Sequence, residues 1–159
     1  MPDIFNADGP GYSLIAIAPH LALDRDLPAS WRSSTAIGGN PGASDAIAFT
    51  GTASADADAN SLSAFLEHAL GTSDSIPDAG ILTLAAEPGG TVALTFKARL
   101  NADDVLLSIE ACTVLPGFLP ASATLISTTQ TGATLSQTWR MTPPAGAAKF
   151  FTRLRATSR

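Results

Sequence analysis

The second half of the chain is a series of short apolar segments separated by turn sequences, and this feature most limits the possible folds. The candidate strands lie at 81–86, 91–98, 105–113, 124–129, 134–141 and 149–156. Runs such as Glu87-Pro-Gly-Gly separate them, because Gly and Pro favour turns. Short strands at this regular spacing are typical of an antiparallel β-sandwich of the immunoglobulin or fibronectin type. We expect its core to contain Phe96, Ile109, Leu125, Phe151 and Leu154.

One helical pattern precedes these strands. The apolar residues spaced at i, i+3, i+4, i+7 and i+8, which share one face of a helix, are Leu62, Phe65, Leu66, Ala69 and Leu70. Asn60 is predicted to cap the start of this helix, and Gly71 to end it in the left-handed conformation. The sequence therefore predicts a mainly β chain with one short helix in the linker between its two halves.

The first fifty residues contain one clear strand pattern, at 12–18, followed by a stretch rich in Pro and Gly. A lone strand has no partner for its backbone groups and is not stable by itself. Segment 1–50 is therefore predicted to be an incomplete unit. We expect its strand to join the sheet of the C-terminal sandwich or to pair with a second copy of the chain.

Composition excludes several classes of partner. The formal net charge is -5, and the basic residues are scattered except in the last stretch. A surface for nucleic acid needs clustered cations, so we expect no nucleic-acid partner. No apolar run approaches the roughly 20 residues of a membrane-spanning helix, so no membrane span is expected. Cys112 is the single cysteine, which excludes an internal disulfide and is typical of a small buried hydrophobic residue.

Acidic residues with the spacing of a calcium loop lie just before the helix. In such loops oxygen ligands at positions 1, 3, 5, 7 and 12 surround one cation, and Gly at position 6 allows a sharp turn. Counted from the first acid, these ligands are Asp56, Asp58, Asn60, the Leu62 carbonyl and Glu67. Position 6 is Ser61 and position 9 is Ala64, so the spacing predicts a weak, degenerate calcium site. The alternative is that Asn60 only caps the helix while the acids favour its N-terminal dipole.

The run DADANSLSAFLEHALGTSD at 56–74 resembles the stalk motif DxDGDGLSNLLEYALGTDP of large secreted bacterial proteins, which is related to thrombospondin type 3 and EF-hand loops. In that family a β-domain follows, with a strand YxVEaSxDL and an ending FFRLRVT. Their counterparts are LSIEACTVL at 107–115 and KFFTRLRAT at 149–157. Upstream, the sequences GYSLI, LPASW and GGNPG are similar to the last strands of bacterial lamin-tail domains.

The resemblance implies three units in a secreted or cell-surface bacterial protein. Segment 1–50 corresponds to an incomplete lamin-tail-like β segment, 51–78 to a linker with the calcium loop and helix, and 79–159 to the β-sandwich domain. Modules of this kind serve attachment, display or adhesion. The implied function is a non-catalytic extracellular structural or interaction module, the tail of a larger protein. Its implied partners are other domains of the same surface protein, or a second copy through the N-terminal strand.

The alternative function is a carbohydrate-binding module of a secreted degradative enzyme, with glycans as partners. Trp31 lies in a Pro/Ser-rich stretch and is the candidate for an exposed ring that stacks on a sugar. Catalysis by the chain itself is not expected, because no nucleophile motif or phosphate-binding loop accompanies its two histidines, His20 and His68. A glycosidase-type carboxylate pair could be drawn from Asp103, Asp104 and Glu110, but Asp103 and Asp104 lie in a turn sequence and are more simply solvated.

Overall fold

The computed structural model describes residues 10–78 and 80–159, and over these the protein is mainly β, with antiparallel sheets. One α-helix occurs in these ranges, α1 at Ala64–Leu70, and a 3₁₀ turn spans Pro28–Ser30. The strands are β1 (Tyr12–Ala16), β2 (Trp31–Ile37), β3 (Leu82–Ala86), β4 (Val92–Arg99), β5 (Val105–Cys112), β6 (Leu119–Pro120), β7 (Ala123–Thr131), β8 (Thr134–Met141) and β9 (Phe151–Ser158).

The C-terminal strands form two antiparallel sheets, with the orders β3-β4-β8-β7 and β6-β5-β9. This confirms the predicted strands, with ends shifted by no more than two residues. Side chains from both sheets meet in one hydrophobic cluster that includes Leu94 and Phe96 of β4, Met141 of β8 and Leu154 of β9. The alternating apolar side chains of β4 therefore pack against the second sheet.

The predicted core residues divide into three groups. Phe96 and Leu154 are buried in the cluster, and Ile109 packs against it. Leu125 is buried outside the cluster. Phe151 is only half-buried, and its neighbour Phe150 packs against the cluster instead.

Helix α1 confirms the predicted helix, but it begins later than expected. Ser63 is the N-cap, because its side chain accepts a hydrogen bond from the backbone N–H of Leu66. The prediction that Asn60 caps the helix is therefore wrong. Gly71 ends the helix with a φ of 80°, as predicted, a left-handed conformation that costs Gly little.

The N-terminal segment contains a β-hairpin, in which β1 pairs with β2 in antiparallel register. The expectation that the strand at 12–18 has no partner within its own segment is therefore wrong. Sequence analysis missed β2 because its buried residues are Arg32, Ser33 and Ser34, which give no apolar alternation. Arg25 orders the connection between the strands by donating to the carbonyl oxygens of Ile17, Ala18, Leu21 and Ser30.

The buried polar residues of β2 contact segments that follow it in the chain. Arg32 is 4% exposed and forms ion pairs with Asp45 and Asp103. Ser33 donates to the Gln130 side chain, and Gln130 donates to the Ser34 carbonyl oxygen at 2.7 Å. The hairpin is thus fixed by hydrogen bonds and charges between residues far apart in sequence.

Candidate metal-binding loop

The segment before α1 folds into a compact loop around the backbone of Asn60 and Ser61. Asp56 accepts hydrogen bonds from the N–H of Asn60 at 3.0 Å and from the N–H of Ser61 at 3.1 Å. Asp58 also accepts from the N–H of Asn60, at 3.1 Å. Short side chains of Asp accept readily from backbone groups a few residues ahead, so the alternating acids themselves shape the turn.

The loop turns sharply without glycine. Ser61, at position 6, has a φ of 70°, and Ala59 has a φ of 59°. Both values lie in the left-handed region, which costs a residue with a Cβ about 1 kcal/mol or more. Ser61 therefore adopts the kind of conformation for which calcium loops carry Gly at position 6.

The Asn60 side chain lies between two carboxylates. Its Nδ2 donates to Asp58 Oδ2 at 3.1 Å and to Glu67 Oε1 at 3.3 Å. Its Oδ1 accepts from the backbone N–H of Leu62 at 2.7 Å, which sets the orientation of the amide. Asn60 thus joins the loop to the helix through Glu67, although it does not cap the helix.

Glu67 is the most unusual polar residue of the loop. It is 1% exposed, and its Oε2 is buried without a hydrogen-bond partner. Burial is the largest effect on its carboxyl group; together with the negative charges of Asp58 and Asp74, it raises the pKa of Glu67 above the ordinary value. The hydrogen bonds from Asn60 and Thr72 act in the opposite direction and do not compensate.

The chain beyond α1 returns to the loop, which sequence reasoning missed. Gly71 and Thr72 both donate their N–H to the Glu67 carbonyl oxygen, at 2.8 and 3.0 Å. Asp74, three residues after Gly71, accepts from the N–H of Ala57 at 2.9 Å. The Gly71 turn was predicted, but the pattern of acids before the helix gave no indication that an acid after it would join the loop.

The loop has the donor chemistry for a hard cation, but it is not a finished metal site. Over residues 10–78 and 80–159, no three His, Cys, Asp or Glu side chains are grouped as a metal would hold them. Backbone N–H groups hold the Asp56 carboxylate, and the Asn60 nitrogen separates Asp58 from Glu67. Only the unpartnered Glu67 Oε2 and the left-handed Ser61 agree with the calcium-loop spacing, and the binding of a cation stays a prediction.

Trp31 is half-buried and lies at the start of β2. Its indole Nε1 donates to the carbonyl oxygen of Arg25 at 2.8 Å, so the ring takes part in the packing of the hairpin. Trp31 also lines a pocket of about 180 Å³ between the hairpin, α1 and the sheets.

The residues considered for catalysis have structural contacts. His68 Nε2 lies 3.2 Å from Asp104 Oδ1, and its ring packs against Phe49 and Phe65.

Asp103 pairs with Arg32, and Glu110 pairs with Arg153 and Arg155. Asp103 is 7% exposed, so the expectation that it is a solvated turn residue is wrong, and Glu110 is also buried. His20 is exposed, and Cys112 is half-buried rather than fully buried.

Comparison with protein-family models, curated proteins and solved structures finds no match to this chain. Among the described residues, no helix has the length and apolar character needed to cross a membrane.

Proposed function

We propose that this chain is a non-catalytic structural or interaction module, the tail of a larger secreted or cell-surface bacterial protein used in attachment, display or adhesion. In this proposal the two C-terminal sheets form a sandwich of the immunoglobulin or fibronectin type, and the N-terminal hairpin is the end of a lamin-tail-like unit. The resemblance of 56–74 to the bacterial stalk motif supports the extracellular setting.

The observation that carries the proposal is that the carboxyl groups whose pKa is lowered are paired with arginines. Hydrogen bonds from Arg140 to Glu87, and from Arg153 and Arg155 to Glu110, lower the pKa of each carboxyl group. These pairs join neighbouring parts of the sheets. Shifted groups in an active site instead serve a reacting substrate. In the described part of the chain, arginines of another strand occupy these carboxylates.

Calcium is the cofactor of the proposal. Asp56, Asp58, Asn60, the Leu62 carbonyl and Glu67 would hold it, with affinity at the weak, roughly millimolar end of the range. A bound cation supplies positive charge beside the buried Glu67 carboxylate. The loop residues then connect the chain before the helix to α1 and, through the Leu66 and Leu70 side chains, to the hydrophobic cluster. Calcium would therefore stiffen the linker between the hairpin and the sheets.

The alternative of a carbohydrate-binding module depends on Trp31, whose indole nitrogen is already engaged within the hairpin. The two functions are separated by two measurements on the full chain: retention on insoluble polysaccharides and the melting temperature with millimolar calcium. Stabilisation by calcium without polysaccharide retention supports the proposal. Retention that Trp31→Ala abolishes would overturn it in favour of the carbohydrate-binding module.

The proposed partners are other domains of the same protein or a second copy of the chain. In the hairpin, β1 pairs with β2 along one edge, which leaves the other edge of β1 without a strand partner among the described residues. A free strand edge recruits another strand through its backbone groups. Sedimentation of the full chain over a range of concentrations tests the second-copy partner.

A further inference from the structure

The two C-terminal sheets do not close completely over each other between β5 and β8. Leu107 and Ile109 of β5 pack against the hydrophobic cluster, and so does Trp139 of β8, yet all three residues are only half-buried. In a closed sandwich the side chains of the two inner faces interdigitate and fill the core. The partial exposure of these three residues therefore marks an opening between the sheets.

Two adjoining pockets occupy this opening. The first, of about 270 Å³, is lined by Trp139, and the second, of about 180 Å³, is lined by Trp31. Leu107 and Gln137 line both pockets, so the pockets meet at these two residues. An apolar cavity of about 150 Å³ is large enough to bind benzene. The opening is therefore large enough for a small organic molecule.

The opening is elongated along the two strands. On β5, Val105 lines the second pocket, Leu107 lines both, and Ile109 lines the first. On β8, Leu135 lines the second pocket and Trp139 lines the first. A strand rises about 3.3 Å per residue, so the distance from Val105 to Ile109 is roughly 13 Å. A molecule that fills both pockets is therefore extended rather than compact.

The first pocket is apolar. Phe96, Ala123 and Leu154 line it beside Trp139, and none of its described lining residues is charged. The indole Nε1 of Trp139 donates to Gln137 Oε1 at 3.2 Å, so the polar atom of this ring already has a partner. The favourable interaction that such walls supply is the removal of hydrocarbon from water. The first pocket therefore suits an alkyl chain.

The second pocket carries more positive than negative charge. Its lining includes three arginines, Arg32, Arg99 and Arg159, and one carboxylate, Asp103. Arg32 is already paired with Asp103, whereas Arg99 and Arg159 form no ion pair with a described residue. Arg159 uses its Nε to donate to the Val105 carbonyl oxygen at 3.1 Å. A guanidinium binds a carboxylate through charge-assisted hydrogen bonds, so this end of the opening suits an anionic head group.

We propose that this opening binds a linear amphipathic carboxylate of the medium-chain fatty-acid class. The alkyl chain lies between β5 and β8 and ends in the first pocket beside Trp139, and the carboxylate pairs with Arg159 in the second pocket. The inference adds a small-molecule ligand to the proposed interaction module and does not depend on the binding of calcium.

The test is titration of the full chain with octanoate, octanol and acetate, followed by tryptophan fluorescence and calorimetry. Trp31 and Trp139 are the only tryptophans of the chain, and each lines one of the two pockets. Octanoate should give a saturable change in fluorescence. Octanol should bind more weakly by about tenfold or more, because it lacks the charge that the arginine pairs with. Acetate should not bind, because it lacks the alkyl chain.

Three variants locate the ligand. Arg159→Gln should weaken octanoate binding by about tenfold and leave octanol binding unchanged. Lys149→Gln loses the same charge at an exposed residue that lines neither pocket, so it should change octanoate affinity by less than about twofold. Ala123→Leu fills part of the first pocket and should weaken the binding of both molecules. Circular dichroism checks that each variant is folded.

A measurement on the wild type avoids substitution altogether. The indole N–H resonance of Trp139, followed by NMR, should shift as octanoate binds, and a fixed resonance would place the ligand outside the first pocket and contradict the inference. Absence of saturable octanoate binding would overturn the inference and leave the proposed structural role unchanged. Equal affinity for octanoate and octanol, or equal effects of Arg159→Gln and Lys149→Gln, would overturn it as well, because Arg159 would then not bind the carboxylate.

Discussion

The guanidinium of Arg32 on β2 donates two hydrogen bonds to the carboxylate of Asp103. Its Nε donates to Oδ1, and its Nη2 donates to Oδ2 at 3.2 Å. The two residues lie 71 positions apart. Two parallel hydrogen bonds of this kind fix both distance and angle. Arg32 also pairs with Asp45, so one buried cation joins the hairpin, the following loop and the turn before β5.

Arg32→Met should destabilise the chain strongly, because it leaves Asp45 and Asp103 buried without their cation. Removing one partner of a buried pair typically costs about 3 kcal/mol or more. Urea unfolding followed by fluorescence measures this cost. Arg140→Gln is the matched control, since its pair with Glu87 is exposed and should matter little. Equal effects of the two variants would show that the Arg32 contacts are not formed in solution.

A chain that begins at Gly51 should melt at a lower temperature than the full chain. Its Asp103 would lose Arg32, and its Gln130 would lose Ser33 and Ser34. Both residues are buried in the full chain, and buried polar groups without partners are unfavourable. Calorimetry and sedimentation compare the two chains. Identical melting and sedimentation would mean that the hairpin is a passive extension.

Stability should fall in acid partly through Asp45. Burial opposes its ionisation, but hydrogen bonds from Arg32 and Thr35 and the Arg32 charge outweigh burial and lower the pKa of Asp45 to about 2. A carboxyl group with a pKa lowered by folding stabilises the native state above its unfolded pKa of about 3.9. This contribution is lost as pH falls through the folded pKa, so the window lies between about pH 4 and pH 2. The free energy of unfolding of Asp45→Asn should therefore vary less with pH in that window than that of the wild type.

Ser61→Gly should stabilise the loop by about 1 kcal/mol, because Gly adopts a φ of 70° without the clash that a Cβ causes. It should also strengthen calcium binding, since position 6 then has the residue that such loops favour. Ser54→Gly is the control: Ser54 is exposed, has no positive φ, and should lose a few tenths of a kcal/mol or more through the unfolded state. A loss of stability in Ser61→Gly would contradict the left-handed conformation of Ser61.

Glu67→Gln should act in opposite directions with and without calcium. Without the ion at pH 7, an uncharged amide costs less to bury than a carboxylate with an unpartnered oxygen, so we expect a gain of about 1 kcal/mol. With millimolar calcium, the variant should lose the stabilisation that the wild type gains by mass action. Melting curves under both conditions measure the two effects. A loss of stability without calcium would show that Glu67 is ionised in a paired state.

Sequence patterns predicted the strands of the C-terminal half and the helix because burial there follows apolar periodicity. Phe96 and Leu94 alternate with polar residues on β4, and Leu66 and Leu70 recur along α1. The hairpin was not predicted because β2 buries a charged residue and hydroxyl groups instead of apolar side chains. Their partners, Asp103 and Gln130, are distant in sequence and leave no local pattern. Within the loop, the spacing predicts a set of cation ligands, and this stays a prediction. It did not predict that the Asn60 nitrogen lies between Asp58 and Glu67, because this depends on side-chain orientation. It also did not predict that Asp74 contacts the loop, because this depends on the turn at Gly71.

The distance in sequence between Arg32 and Asp103 also sets an order of events during synthesis. A ribosome adds about 5 to 20 residues each second, so the 71 positions between them take roughly 4 to 14 s to make. Throughout that interval the nascent hairpin exists without the carboxylate and amide that fix it. A hairpin of two strands is marginal by itself in water, and its edges stay open to other chains. Within this chain, the hairpin is consequently synthesised well before the residues that hold it in place.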